Sequence, residues 1–314
     1  MIIGHQTQWQ YLKKLAEGEK IPHAFLFTGE EKIGKKKTAV EFAKAVCCLK
    51  EDPAKRPCNE CSSCLEIEKG IFPDFKIIRP DDVGSLKAPL KKGRKIQIYQ
   101  VRQVKASFNL GSYNSSFKIA VIDEAHTMNS QAQNSLLKLL EEPKGKALII
   151  LITPFPKMLL PTIVSRTQTL RFQRVGQKEI EKSLINLLGL GEKEAEEISG
   201  LSEGKPGLAF DFARDPEKLE EYRKRIQDTK KLVDGTLAFR FSYAKSLSED
   251  PLKTSEMLDF WTSYFRKSLL LKLDKSESFL KEKKALDSLQ KVRFAVSSTN
   301  VSSRLALEML MLEI

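Results

Sequence analysis

With 314 residues, 41% of them hydrophobic, the chain exceeds one ordinary core and predicts two or three domains, and no apolar run reaches the length of a membrane span. Five cysteines, four of them at metal spacing, and an N-terminus (Met1-Ile2-Ile3-Gly4-His5-Gln6) without a charged-then-apolar leader argue against a disulfide-bonded secreted protein and predict a cytoplasmic one. The net charge of +12, from 53 Lys plus Arg against 41 Asp plus Glu, suits an anionic partner such as nucleic acid, or equally a Lys- and Glu-rich surface of a heat-adapted kind.

In chain order, Phe25-Leu26-Phe27-Thr28 is a short apolar run ending in Gly29, followed by a polar loop and the helical pattern Thr38-Ala39-Val40-Glu41-Phe42-Ala43-Lys44. This is the strand, Gly-rich turn and helix of a nucleotide-binding α/β core. The turn, Gly29-Glu30-Glu31-Lys32-Ile33-Gly34-Lys35-Lys36, has the phosphate-loop frame G-x-x-x-x-G-K. In a working loop the amides cradle phosphates, the lysine reaches the β/γ oxygens, and the next hydroxyl ligates Mg²⁺. Gly29, Gly34 and Lys35 are in place, but Lys36 stands where the hydroxyl belongs and its ammonium would repel a cation. Thr38 does not compensate, because two residues along a helix turn the side chain by about 200°. Lys32 fills a position where a small residue lets the backbone approach the phosphates. The expectation is a degenerate nucleotide site that binds ATP and Mg²⁺ weakly or not at all.

Cys58-Asn59-Glu60-Cys61-Ser62-Ser63-Cys64 follows, with two C-x-x-C spacings in a Pro- and Asn-containing loop and with Cys47 and Cys48 upstream. Thiolates at this spacing can point at one tetrahedral Zn²⁺. Cys48 is preferred as fourth ligand, since Cys47 follows Ala43 and Val46 in the helical pattern and reads as a buried thiol. A closed set of Cys48, Cys58, Cys61 and Cys64 leaves no open coordination position, so its zinc would be structural.

Further buried-strand candidates are residues 75–78, 119–123, 148–153 and 169–172, separated by helical patterns such as residues 130–142. Strands alternating with helices predict an α/β fold with a parallel sheet covered on both faces. The basic stretch at 87–95 contains Pro and Gly and reads as an exposed loop. Asp123 and Glu124 end an apolar strand about 90 residues after the phosphate loop, where the first carboxylate would hold Mg²⁺ through water and the second would polarise the attacking water. His126 reads as a structural loop residue. Pro161-Thr162-Ile163-Val164-Ser165-Arg166-Thr167 is a turn between strands, and its Arg166 is either a surface residue capping a helix end or an arginine finger acting on a neighbouring site. After residue 172 strand signals stop: residues 177–213 read as short helices broken by glycines. From Pro216 the pattern is helical, with a buried stripe of Met257, Leu258, Trp261, Tyr264, Phe265 and Leu269 and a last amphipathic helix over 294–312.

Taken together, Ile3-Gly4-His5-Gln6, Ile21-Pro22-His23-Ala24-Phe25-Leu26-Phe27-Thr28-Gly29, the four-cysteine insertion, Val121-Ile122-Asp123-Glu124-Ala125-His126, Asn134-Ser135-Leu136-Leu137-Lys138-Leu139-Leu140-Glu141-Glu142-Pro143, Leu159-Leu160-Pro161-Thr162-Ile163-Val164-Ser165-Arg166 and residues 300–308 resemble the clamp-loader ATPase family of bacterial DNA polymerase III, within the AAA+ class. The resemblance implies an AAA+ core over residues 1–170 with a zinc module at 48–64, a helical lid over 171–213, and a helical collar over 214–314 that packs with sister subunits in a hetero-pentamer. It implies tau/gamma and delta subunits, the sliding clamp and primer-template DNA as partners. Lys36, and Gly207 where hydrolysing members carry an Arg that senses the γ-phosphate, resemble the non-hydrolysing delta-prime branch; the alternative is an ATP-hydrolysing tau/gamma-type subunit. Thr167 replaces the usual Cys after Ser-Arg. In that branch Arg166 would be the trans arginine finger, and the chain would not be catalytic alone.

Overall fold

The computed structural model describes residues 2–18, 20–80, 95–109, 117–143, 145–274, 278–298 and 302–314. Of the basic stretch at 87–95 only Lys95 lies among them, and it is exposed; the rest of that expectation falls outside the described residues. The chain divides into two compact units, Met1–Arg214 and Asp215–Ile314.

In the first unit, β1 (Ala24–Thr28), β2 (Phe75–Ile78), β3 (Lys118–Ile122), β4 (Ala147–Thr153) and β5 (Gln168–Arg171) form one parallel sheet in the order β2-β3-β4-β1-β5. Parallel strands need crossovers, and these are helical: α2 (Lys35–Cys47), α3 (Ser62–Lys69), α4 (Ile98–Asn109), α5 (Ser130–Glu141) and the single-turn α6 (Pro161–Val164), after an N-terminal α1 (Gln6–Glu17). β1 and β4 are buried along their whole length because both faces are covered. Side chains alternate between two cores: Phe25, Phe27, Ile119, Val121 and Ile150 pack with Phe42 of α2, whereas Leu26, Ala120, Ile122 and Ile149 pack with Leu136 and Leu140 of α5.

The expected buried strand over 169–172 is corrected. β5 covers Gln168–Arg171, pairs with β1 at the sheet edge and leaves Gln168, Thr169 and Arg171 exposed; Phe172, just beyond it, is buried. A polar side-chain set survives there because an edge strand is covered less completely. No strand follows Arg171 among the described residues; α7 (Gln177–Leu188), α8 (Glu192–Leu201) and α9 (Pro206–Arg214) complete the unit.

The second unit consists of α10 (Pro216–Asp234), α11 (Leu237–Ser248), α12 (Pro251–Asp274), α13 (Leu280–Ser298) and α14 (Ser303–Glu313). Trp261 is fully buried and donates its indole N–H to Thr229 Oγ1 at 3.1 Å. Met257, Leu258 and Phe265 of the expected stripe are buried with it, while Tyr264 and Leu269 are half-buried. Arg240 donates to the carbonyls of Leu232 (2.9 Å), Val233 (2.6 Å) and Met311 (3.1 Å), satisfying helix-end acceptors of α10 and α14 together. The single helix expected over 294–312 is instead the end of α13 and the whole of α14.

Candidate functional site

Parallel strands bring their C-terminal ends to one edge, where the chain leaves β1 through the phosphate loop and β3 through Asp123 and Glu124. Gly29 carries φ +139°, and a Cβ there would lie 2.4 Å from the Phe172 carbonyl oxygen, so only glycine lets the loop leave the sheet here. Gly34, at φ +104°, turns the chain into α2. Lys35 folds back onto its own loop: its ammonium donates to the carbonyl oxygens of Gly29, at 2.5 Å, and of Glu30. Burial brings its pKa down to about 8.

Lys36 reaches the Asp123 carboxylate. Its Nζ lies 3.5 Å from Asp123 Oδ2, and the same oxygen is 3.8 Å from Arg79 Nε. The Arg79 contact follows from register: Ile78 pairs with Ile122, so the next residues of β2 and β3 stand side by side. Burial pushes the Asp123 carboxyl above its ordinary range against the opposing pull of Arg79, and burial beside Asp123 and Glu31 raises Glu124 as well. Glu124 sits in the left-handed region at φ +54°. Thr38 points back along α2 to the Gly34 carbonyl at 3.2 Å, as the helical rotation requires. His126 packs edge-to-face on Phe155 at 5.1 Å, and burial lowers its pKa.

The loop is also held from its outer side. The Gly207 amide at the start of α9 donates to the Lys32 carbonyl at 2.7 Å, and Lys32 Nζ pairs with Asp211 Oδ2 at 2.7 Å. A Cβ at position 207 would stand 2.8 Å from that carbonyl oxygen. Glu30 accepts two bonds from Arg174, at 2.9 and 2.8 Å, and lies 3.4 Å from Lys205. Burial alone would raise the Glu30 pKa, but Arg174 and Lys205 outweigh it and hold the carboxyl below its ordinary range. A cavity of about 910 Å³ opens beside Gly34 and Lys36, walled by Ile3, Leu188, Pro206 and Phe210.

The sulfurs of Cys48, Cys58, Cys61 and Cys64 all lie within 4.8 Å of one another. Four sulfurs around a tetrahedral ion would stand about 3.8 Å apart, so the cluster can hold a metal ion with small adjustment. Backbone amides already point at the sulfurs: Cys58 N–H at Cys48 (3.5 Å) and Cys61 N–H at Cys58 (3.3 Å). The amides of Glu60 and Cys61 bring the Cys58 thiol down to about 6, while burial pushes Cys48 and Cys64 up. Cys47 lies in the apolar core around Phe42. The loop expected to carry all three later cysteines is corrected in one respect: Cys61 immediately precedes α3, which starts at Ser62, and Cys64 lies inside its first turn.

Arg166 lies apart from these groups, after α6. It is exposed, donates to the Thr162 carbonyl at 3.1 Å and pairs with Glu141 at 3.0 Å. Thus Gly29, Gly34, Lys35, Asp123 and Glu124 converge, the four cysteines converge, and Arg166 joins neither group. Sequence reasoning missed Arg79, Glu30, Arg174, Lys205 and Asp211. Their pairings depend on strand order and on the approach of α9, and no local spacing signals them.

The buried Lys35 amine has a measurable consequence. Its charged form is disfavoured in the folded chain, so between pH 8 and 10.5 the unfolded chain binds more protons and stability rises with pH through that window. Lysine side-chain NMR is expected to give one resonance, absent in Lys35→Met, titrating near pH 8; titration near 10.5 would place the ammonium in solvent.

Comparison with known proteins places the chain. A sequence model of the family described as "DNA polymerase III, delta subunit" matches residues 4–176. The delta' subunit of Bacillus subtilis is 37% identical over 169 residues, 54% of this chain and 47% of that protein. The delta' subunit of Pseudomonas aeruginosa is 30% identical over 234 residues, 74% of this chain and 67% of that protein. The tau subunit of B. subtilis is 28% identical over 296 residues, 86% of this chain and 50% of that protein. The chain therefore spans about half the length of these two Bacillus relatives. A solved gamma subunit-related protein of Thermotoga maritima shares the fold with a TM-score of 0.50 at 19% identity, over 97% of each chain. With the family match over more than half of its length, the chain belongs to the DNA polymerase III delta-subunit family, a clamp-loader family with an AAA+ type α/β core.

Proposed function

We propose that this chain is a non-hydrolysing, delta-prime-type subunit of the clamp loader, which assembles with tau/gamma and delta subunits and helps load the sliding clamp onto primer-template DNA. The observation that carries this reading is the Lys36 ammonium on Asp123, 3.5 Å away, where hydrolysis needs a divalent cation. Gly207 supports it, since an arginine at that position would press its Cβ against the Lys32 carbonyl. In this reading residues 1–170 form the AAA+ core, 171–213 the lid and 214–314 the collar. The exposed Leu305, Met309 and Leu312 of α14, spaced to share a helix face, suit collar packing against a sister subunit. DNA contact is supported by α4, which has no acidic residue and presents Arg102 to solvent.

Arg166 is the trans finger in this reading. Its ion pair with Glu141 is exposed and of a kind worth about 0–1 kcal/mol, so a phosphate from a neighbouring site outcompetes it. The four cysteines hold a structural Zn²⁺, which adds folding free energy to residues 48–64 and takes no part in chemistry.

A second reading, an ATP-hydrolysing tau/gamma-type subunit, is favoured by the similarity to B. subtilis tau over 86% of this chain. Equilibrium binding of labelled Mg·ATP to the isolated chain separates the two: no saturable binding is expected, and binding with turnover would establish the second reading. Metal analysis should give about one zinc per chain, lost in Cys48→Ser and kept in Cys47→Ser; the opposite pattern would move the fourth ligand. Arg166→Ala, reconstituted with wild-type partners, should assemble normally while turnover at the neighbouring site falls on the order of 10³-fold and clamp loading slows. Normal loading by the assembled variant complex would remove the finger role, and failed assembly would make Arg166 structural.

A further inference from the structure

Lys44 is the buried cation that neither the nucleotide loop nor the cysteine cluster accounts for. It lies on α2 with 4% of its surface exposed. Its ammonium contacts Glu41 Oε1 at 3.1 Å, Glu68 of α3, and Asn59 Oδ1 at 3.2 Å. Lys37 closes the cluster, 3.1 Å from Glu41 and 3.0 Å from Glu68, so two cations face two carboxylates. Burial works against the Lys44 charge, but Glu68 and Glu41 outweigh it and raise the pKa above the ordinary lysine value.

Asn59 is the link to the sulfurs. It sits between Cys58 and Cys61 in the left-handed region, at φ +60°. Its side-chain oxygen accepts from Lys44 at 3.2 Å, and the turn it sits in aims the Cys61 amide at the Cys58 sulfur, 3.3 Å away. A buried ammonium therefore holds the turn that carries two of the candidate ligands, Cys58 and Cys61. From this geometry we infer that Lys44 and Asn59 are positioning residues of the metal site, the ammonium fixing Asn59 so that the turn around it holds Cys58 and Cys61 in place, with the Cys61 amide on the Cys58 sulfur. The inference rests on the zinc reading of the four cysteines. Partners of this kind, one bond removed from the metal, typically change metal affinity 10–100-fold when lost.

The test is zinc release from the full-length chain into excess 4-(2-pyridylazo)resorcinol, followed by absorbance. Asn59→Gly removes the side-chain acceptor but keeps the amide, adopts φ +60° at no steric cost, and leaves all four charges of the cluster in place. It is expected to release zinc about 10–100-fold faster than wild type, with the circular dichroism spectrum of the zinc-loaded chain unchanged. Lys44→Met should show the same acceleration, the double variant little more than either single one, and Asn59→Asp, which keeps an acceptor for the ammonium, should stay near wild type. Because Lys44→Met leaves Glu41 buried with one cation fewer, Asn59→Gly is the decisive variant if Lys44→Met does not fold. A wild-type chain that holds zinc while Asn59→Gly releases it at the same rate overturns this inference alone. A wild-type chain that takes up no zinc overturns the zinc reading and the inference with it.

Discussion

The amide of Gly207 meets the carbonyl of Lys32 at 2.7 Å, and the arrangement of the first unit around its phosphate loop depends on that contact. It requires a residue without a Cβ, because the added atom would sit 2.8 Å from the oxygen. With α9 that close, Lys32 reaches Asp211, and Glu30 lies within reach of Arg174 and Lys205 from the chain segments around α7–α9. Three charged pairings and one backbone bond thus join the loop to the helices after β5. Several of these pairs are partly exposed and individually weak. Their combined effect is geometric: they tie the loop to α9 and its neighbours while Glu31 and Lys32 remain exposed.

The inner side is closed by charge. A working phosphate loop offers a lysine to phosphate oxygens and a hydroxyl to Mg²⁺. Here the first lysine is turned onto the carbonyls of Gly29 and Glu30, and the second brings its own positive charge to Asp123. A buried carboxylate needs a cation or a proton. Lys36 and Arg79 supply two fixed cations at Asp123, while burial still favours its protonated form. In this structure both lysines of the motif are paired within the chain, Lys35 with loop carbonyls and Lys36 with Asp123.

α2 connects this loop to the cysteine cluster. It starts at Lys35, inside the loop, and ends at Cys47, next to Cys48, a span of roughly 20 Å at 1.5 Å per residue. Lys37, Glu41 and Lys44 recur along the helix at spacings of three and four, and Glu68 of α3 joins them to form a charge cluster in which Glu41 and Lys44 are buried and Lys37 and Glu68 reach solvent. Lys37 and Glu68 also border the cavity beside the loop, so the packing that seats α3 and the cysteines is continuous with the wall of the candidate nucleotide site.

Much of this was legible in the residues themselves. Apolar runs bounded by turns located all five strands to within a residue or so, and the alternation with helices implied the parallel sheet, because strand formation follows local pattern and parallel neighbours need a crossover between them. The G-x-x-x-x-G-K frame, the intrusion of Lys36, the paired carboxylates after β3 and the choice of Cys48 over Cys47 all follow from spacing and helical phase. The edge position of β5 was not legible, since exposure of Gln168 and Thr169 depends on which strands flank it. The division of the C-terminal helical pattern into α13 and α14 was not legible either, since the amphipathic pattern runs on through it. Arg79 beside Asp123, Arg174 on Glu30 and Lys44 on Asn59 join residues 44, 144 and 15 positions apart in sequence. Local spacing determined which elements form, which chemistry they carry and the pairs within one helix such as Lys37–Glu41; only the tertiary structure decided the pairings between elements, because a charge pairs with what the fold brings within about 4 Å of it.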